Sequence, residues 1–136
     1  MNNFIYADND YVFISYFYDA KILKVQWKQK SKNMSDKDFK QQITFIKEAV
    51  IQYKPLYVVG NAVNMAYGIT PELQEWHNNF LFPAFRDEKV EKLAIVVSED
   101  IFTQVSIEQL IEDEKDAFFL TQYFDRESAA LDWLLG

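Results

Sequence analysis

Cysteine is absent from these 136 residues, histidine occurs once, and glycine and proline occur three times each. The missing cysteines exclude disulfides, thiolate metal sites and cysteine nucleophiles together. Gly60, Gly68 and Gly136 are too few and too scattered for a glycine-rich phosphate cradle, although Gly60 does follow a strand-like run. No Gly-x-Ser-x-Gly elbow occurs. The lone His77 cannot build a histidine-based metal cluster, and Glu112-Asp113-Glu114-Lys115-Asp116 lacks the spacing and glycine of a calcium loop. No metal and no cofactor are therefore expected. The longest apolar runs, Phe80–Phe85 and Leu93–Val97, fall far short of the ~20 residues of a membrane span. The first eight residues have neither the basic start nor the apolar core of a signal peptide, so the expected location is cytoplasmic.

What is present is a folded composition. Half the residues are apolar, 26% are charged, and 12 Phe, 8 Tyr and 3 Trp make aromatic rings unusually frequent. No linker, repeat or low-complexity tract divides the chain, so residues 1–136 read as one domain. The net charge of −7 is unevenly spread. Residues 1–68 hold nine lysines against six acids, whereas residues 69–136 hold five basic and fifteen acidic side chains. Lys21, Lys24, Lys28, Lys30 and Lys32 form a basic run that suits an anionic partner or the acidic half of a second copy. Its plainer reading is a lysine-guarded edge strand. The overall acidity and the lack of any nucleic-acid motif argue against nucleic acid as a partner.

Periodicity places the elements. Tyr11–Tyr18 reads as a strand wanting cover on both faces, and Lys21–Lys28 as its hairpin partner, with Leu23, Val25 and Trp27 on one face. Ser35 and Asp38 form a capping box for a helix whose stripe is Phe39, Ile43, Ile46, Val50 and Tyr53 and which Pro55 ends. Leu56–Val59 is a strand apolar on both faces. After a loop, Thr70-Pro71-Glu72 announces a second helix with the stripe Leu73, Trp76, Phe80 and Ala84, kinked or ended at Pro83. Leu93–Val97 reads as another buried strand, Ile101–Val105 and Ile107–Ile111 as helical pieces, the latter capped by Ser106 with Gln109 answering. Phe119–Phe124 reads as the last strand. Asp125 should cap a closing helix with Ala129 or Ala130, Trp133 and Leu134 inward. The order β-β-α-β-α-β-α-β-α predicts an α/β domain with a mainly parallel sheet of about five strands, an antiparallel N-terminal hairpin, and helices packed against the sheet.

The closing residues Tyr123, Phe124, Asp125, Ala130, Trp133 and Leu134 resemble the C-terminal signature of SpoIIAA-like proteins, small stand-alone bacterial relatives of the STAS domain. The segments Ile69–Trp76 and Val105–Gln109 are similar to stretches in one branch of that group, and the element order matches over essentially the whole chain. The resemblance implies a compact sheet-and-helix domain that binds proteins, lipids or nucleotides and does not catalyse. It also implies a distant kinship with CRAL-TRIO-type lipid transfer proteins. In anti-sigma antagonists a Ser or Thr at the start of the helix after the third strand is phosphorylated, within a pattern near Asp-Ser-Ser-Gly. Here residues 60–70 hold no serine, and only Thr70 offers a hydroxyl at that helix start. Thr70 is thus a candidate phospho-acceptor by resemblance and a helix cap by its position.

Three candidate regions follow. Asn61, Asn64, Tyr67, Thr70, Glu72 and Trp76 form a candidate interaction loop and helix for an unknown protein partner. Tyr16, Tyr18, Trp76, Phe80, Phe82 and Phe85 form a candidate aromatic patch, for self-association into a homodimer or for a small hydrophobic ligand; otherwise these rings fill the core. His77 reads as a partly buried structural imidazole, since no nucleophile or orienting partner is identifiable for it. The leading expectation is a non-enzymatic binding module, the alternative a carrier or sensor of a lipid-like ligand.

Overall fold

The structure, a computed structural model, describes residues 2–103 and 118–136. One six-stranded sheet runs through them in simple sequence order: β1 (Asn3–Asp8), β2 (Val12–Phe17), β3 (Ile22–Trp27), β4 (Tyr57–Asn61), β5 (Lys92–Val96) and β6 (Leu120–Phe124). The first three strands pair antiparallel, and β3 to β6 are parallel. The expected α/β class with a parallel sheet and an antiparallel N-terminal part is therefore observed. The strand count differs, because Asn3–Asp8 adds a sixth. That segment has only a short apolar stretch between Asn and Asp, and β2 gives it its strand conformation by pairing.

Pairing of β3 on both sides overturns the guarded-edge reading of the lysine run. β3 lies inside the sheet, between β2 and β4, and the edge belongs to β1. On β2, Val12, Ile14 and Tyr16 are buried in the core beneath the helices, and Ser15 is buried on the opposite face. The β2–β3 turn places Lys21 in the left-handed region (φ 58°), and its carbonyl accepts Leu56 N and Tyr57 N at 3.0 and 3.1 Å.

After β3 a 3₁₀ turn (Gln29–Asn33) leads into α1 (Asp36–Tyr53). Both hydrogen bonds of the Ser35–Asp38 capping box form, and Lys54 closes the helix at φ 50°, just before Pro55. The expected stripe is buried at Phe39, Ile43, Ile46 and Val50, joined by Ala49 and Gln42. Thr70 caps α2 (Pro71–Asp87) by accepting from Leu73 N at 3.2 Å. Pro83 sits inside this helix and does not end it. Residues 99–103 are helical, so the first helical piece begins two residues early. Val105, the cap Ser106 with Gln109, the piece Ile107–Ile111 and the acidic run 112–116 lie outside the described residues.

α3 (Glu127–Leu135) follows β6. Its N-cap is Arg126 with no side-chain cap bond, which corrects the capping role expected of Asp125; Asp125 lies one residue too early. Ala130 is the buried alanine, together with Leu134.

Two apolar cores result. α1 and α2 cover one face, where Val12, Ile14, Leu23, Val25, Val58 and Leu93 meet Phe39, Ile43, Leu81 and Phe85. On the other face α3 packs on β4, β5 and β6, around Ile22, Val59, Ala94, Val96, Phe124, Ala130 and Leu134. The alternation along β3 and β4 divides their side chains between the two cores. Among the described residues no helix is long and apolar enough to cross a membrane.

Candidate functional site

The loop of residues 62–70 leaves β4 at the carboxyl ends of the parallel strands, where open α/β sheets commonly present their binding residues. It is braced at each stage. Ala62 N donates to Val96 O on β5 at 2.8 Å, and Val63 N donates to Asn61 Oδ1 at 3.1 Å. Ala66 N donates to the hydroxyl of the fully buried Ser31 at 3.0 Å. The Tyr67 hydroxyl donates to the Asp36 carboxylate at the start of α1, while its ring stacks on Phe39 with centroids 5.3 Å apart. Burial, then the bond to Asp36, push the Tyr67 phenol up to about 12.

The residues between these anchors face solvent: Val63, Asn64, Gly68, Ile69, Thr70 and Glu72 are exposed. Of the predicted interaction residues, Asn64, Thr70 and Glu72 thus share this outer rim. Asn61 and Tyr67 hold it from beneath. Val63 and Ile69, exposed apolar side chains at the two ends of the loop, were missed by sequence reasoning, because neither belongs to a periodic stripe.

Asn61 also belongs to a second brace. Its Nδ2 donates to Glu127 Oε1 at 3.2 Å, and Lys24 Nζ pairs with Glu127 Oε2 at 2.9 Å. Lys24 on β3, Asn61 on β4 and the first residue of α3 are so tied together. Glu127 additionally sits at the positive end of its helix.

Trp76 packs against Phe80 and Lys40. α2 turns Leu73, Leu81, Ala84 and Phe85 inward, whereas Trp76 and Phe80 are half-buried on its flank, which corrects the predicted stripe. Both sets have helical spacing, and packing selects the first. Trp76 and Phe80 stack on each other at 4.8 Å beneath cations from α1: Lys40 Nζ lies 5.2 Å from the Trp76 ring and Lys47 Nζ 4.2 Å from that of Phe80. Lys54 Nζ continues the row with Glu88 Oε1 at 2.8 Å.

The candidate aromatic patch therefore divides. Tyr16 and Phe85 are buried and belong to the core. Tyr18 is exposed and lies with Phe4, Tyr6, Tyr16 and Tyr53 in a ring cluster at the β1 edge. Phe82 sits edge-on to His77 and Phe119. Phe4, Tyr6 and Tyr53 escaped the sequence reading because the first two occupy the unrecognised strand and the third was assigned to the core stripe.

His77 lies between Phe39 and Phe82, with Nδ1 2.8 Å from Asn78 Oδ1. Burial lowers its pKa, only partly opposed by that bond, so the ring is held neutral. One open hollow of about 390 Å³ lies near the amino ends of β5 and β6, lined by Arg86, Lys89, Val90, Glu91 and Phe118–Leu120. Among the described residues no three His, Asp or Glu side chains gather as metal ligands. Compared with protein-family models, with curated proteins and with solved structures, the chain matches none.

Proposed function

We propose that this chain is a non-enzymatic, STAS-like regulatory module of the SpoIIAA-like kind, which binds a protein partner through the rim of residues 63–72. The observation that supports this reading is the bracing of an exposed loop from three directions, by Val96, Ser31 and Asp36. A loop held in one shape while offering Val63 and Ile69 to solvent loses little conformational entropy when a partner covers it. Thr70 acts within this reading as the cap of α2, with its hydroxyl at an exposed position that a phosphate could occupy.

The test compares affinity capture from the native cell by the wild type and by Val63→Asp and Ile69→Asp. The reading expects a protein retained by the wild type and lost by both variants, with melting temperatures unchanged because both side chains are exposed. Identical capture by all three overturns it.

The second reading, a carrier of a lipid-like ligand, draws on the hollow between Arg86 and Phe119, which joins apolar walls with two cations. It expects an amphiphile that extracts into organic solvent from the purified protein, released by Phe119→Lys.

A further inference from the structure

We propose that two copies of this chain associate through the free edge of β1, pairing antiparallel about Phe4 and Ile5 so that the sheet continues across a two-fold axis. Among the described residues no strand pairs with the outer side of β1. Every second residue of such an edge turns its N–H and C=O groups outward, and an extended chain satisfies them.

Two further features leave this edge open to pairing, and the two-fold matching of its apolar side chains is what suits a second copy. Edge strands are ordinarily defended by lysine, proline or inward charges, but Asn3–Asp8 contains only one charged residue, Asp8, at its far end. There Lys28 Nζ pairs with Asp8 at 2.6 Å. The one defence present is a register irregularity between Ile5 and Ala7, which divides the strand. Residues 2–5 are all exposed, whereas Tyr6 and Ala7 are half-buried. The undefended part is also where apolar surface is concentrated, with Phe4 54% and Ile5 61% exposed. Successive residues project to opposite faces, so a two-fold partner brings a second Phe4 beside the first on one face and a second Ile5 on the other. Tyr18, 41% exposed and stacked 5.1 Å from Phe4, widens the contact.

The area sets the strength. These side chains and a short stretch of main chain offer a few hundred Å² per copy, below the roughly 800 Å² of a standard interface. The dimer is accordingly weak and concentration-dependent, with dissociation in the micromolar range or above.

Sedimentation equilibrium from about 1 μM to 1 mM tests this. The wild type should dimerise within that range, and Ile5→Lys, at an exposed position that leaves the melting temperature unchanged, should weaken dimerisation at least tenfold. In a separate variant Ile5→Cys supplies the chain's only thiol, which a short bismaleimide should join to its symmetry mate. Asn64→Cys, on the remote loop, should remain unlinked at the same concentration. A monomer throughout, or a dimer that Ile5→Lys leaves intact, overturns the proposal. Either result leaves the loop reading standing, since β1 is three strands from β4.

Discussion

The neutral ring of His77 carries a measurable pH dependence. Burial between Phe39 and Phe82 holds its folded pKa below the unfolded value of roughly 6.5. The unfolded chain thus binds the proton more tightly. Stability from this residue is complete above the unfolded pKa and declines as the pH falls through it toward the folded one. Melting curves between pH 7.5 and 5 should show a smaller acid loss for His77→Gln than for the wild type; equal slopes would mean the imidazole is not desolvated. The left-handed positions give a second residue-scale test. Lys21, Lys54 and Lys89 have φ of 58°, 50° and 62°, while no described glycine has positive φ. A lysine there bears strain of about 1–2 kcal/mol, which glycine relieves at an entropic cost of about 0.5–1 kcal/mol. Lys89→Gly should therefore raise stability by about 0.5–1 kcal/mol, read from the denaturant midpoint.

At the scale of elements, α1 and α2 are joined by a row that neither helix displays alone. Lys40, Lys47 and Lys54 recur every seven residues and reach Trp76, Phe80 and Glu88. Seven residues are close to two helical turns, so the three cations stand on one flank and roof the rings that would otherwise be exposed. Lys47→Ala should cost about 0.5–1 kcal/mol and make Phe80 more accessible. A double cycle with Phe80→Leu should recover most of that loss as coupling energy. Sequence alone identified both helix caps here, but it assigned Trp76 and Phe80 to the core stripe, where packing sets them on the flank. Local spacing does not reveal what Lys40 and Lys47 do, because the partners of a flank are set by which helix lies beside it.

For the molecule as a whole, the short α3 packs on the second face of the sheet, against β4, β5 and β6. Lys92 Nζ donates to Trp133 O at 2.9 Å at one end of this helix, and Lys24 and Asn61 hold Glu127 at the other. Between them Leu134 and Ala130 close the core over β4–β6. Leu134→Ala should cost about 2–5 kcal/mol, since the side chain is 1% exposed and its neighbours are strands that cannot collapse into the gap. A loss below 1 kcal/mol in chemical denaturation would show that α3 packs only loosely.

The chain's own pattern determined the α/β class, the strands that carry two-sided apolar runs, and the caps at Ser35 and Thr70. Each of those depends on side chains acting within a few residues of themselves, which local spacing records. Tertiary structure alone decided that Asn3–Asp8 is a strand, that β3, which the lysine run surrounds, is interior, and that α2 turns Leu81 and Phe85 inward in place of Trp76 and Phe80. It also assembled the bracing of residues 62–70 from Ser31, Asp36 and Val96, positions 30 or more residues away in the chain. An edge strand acquires its conformation from hydrogen bonds to its neighbour, and a loop its shape from the elements it lands on. Neither cause leaves a periodic mark on the residues it shapes.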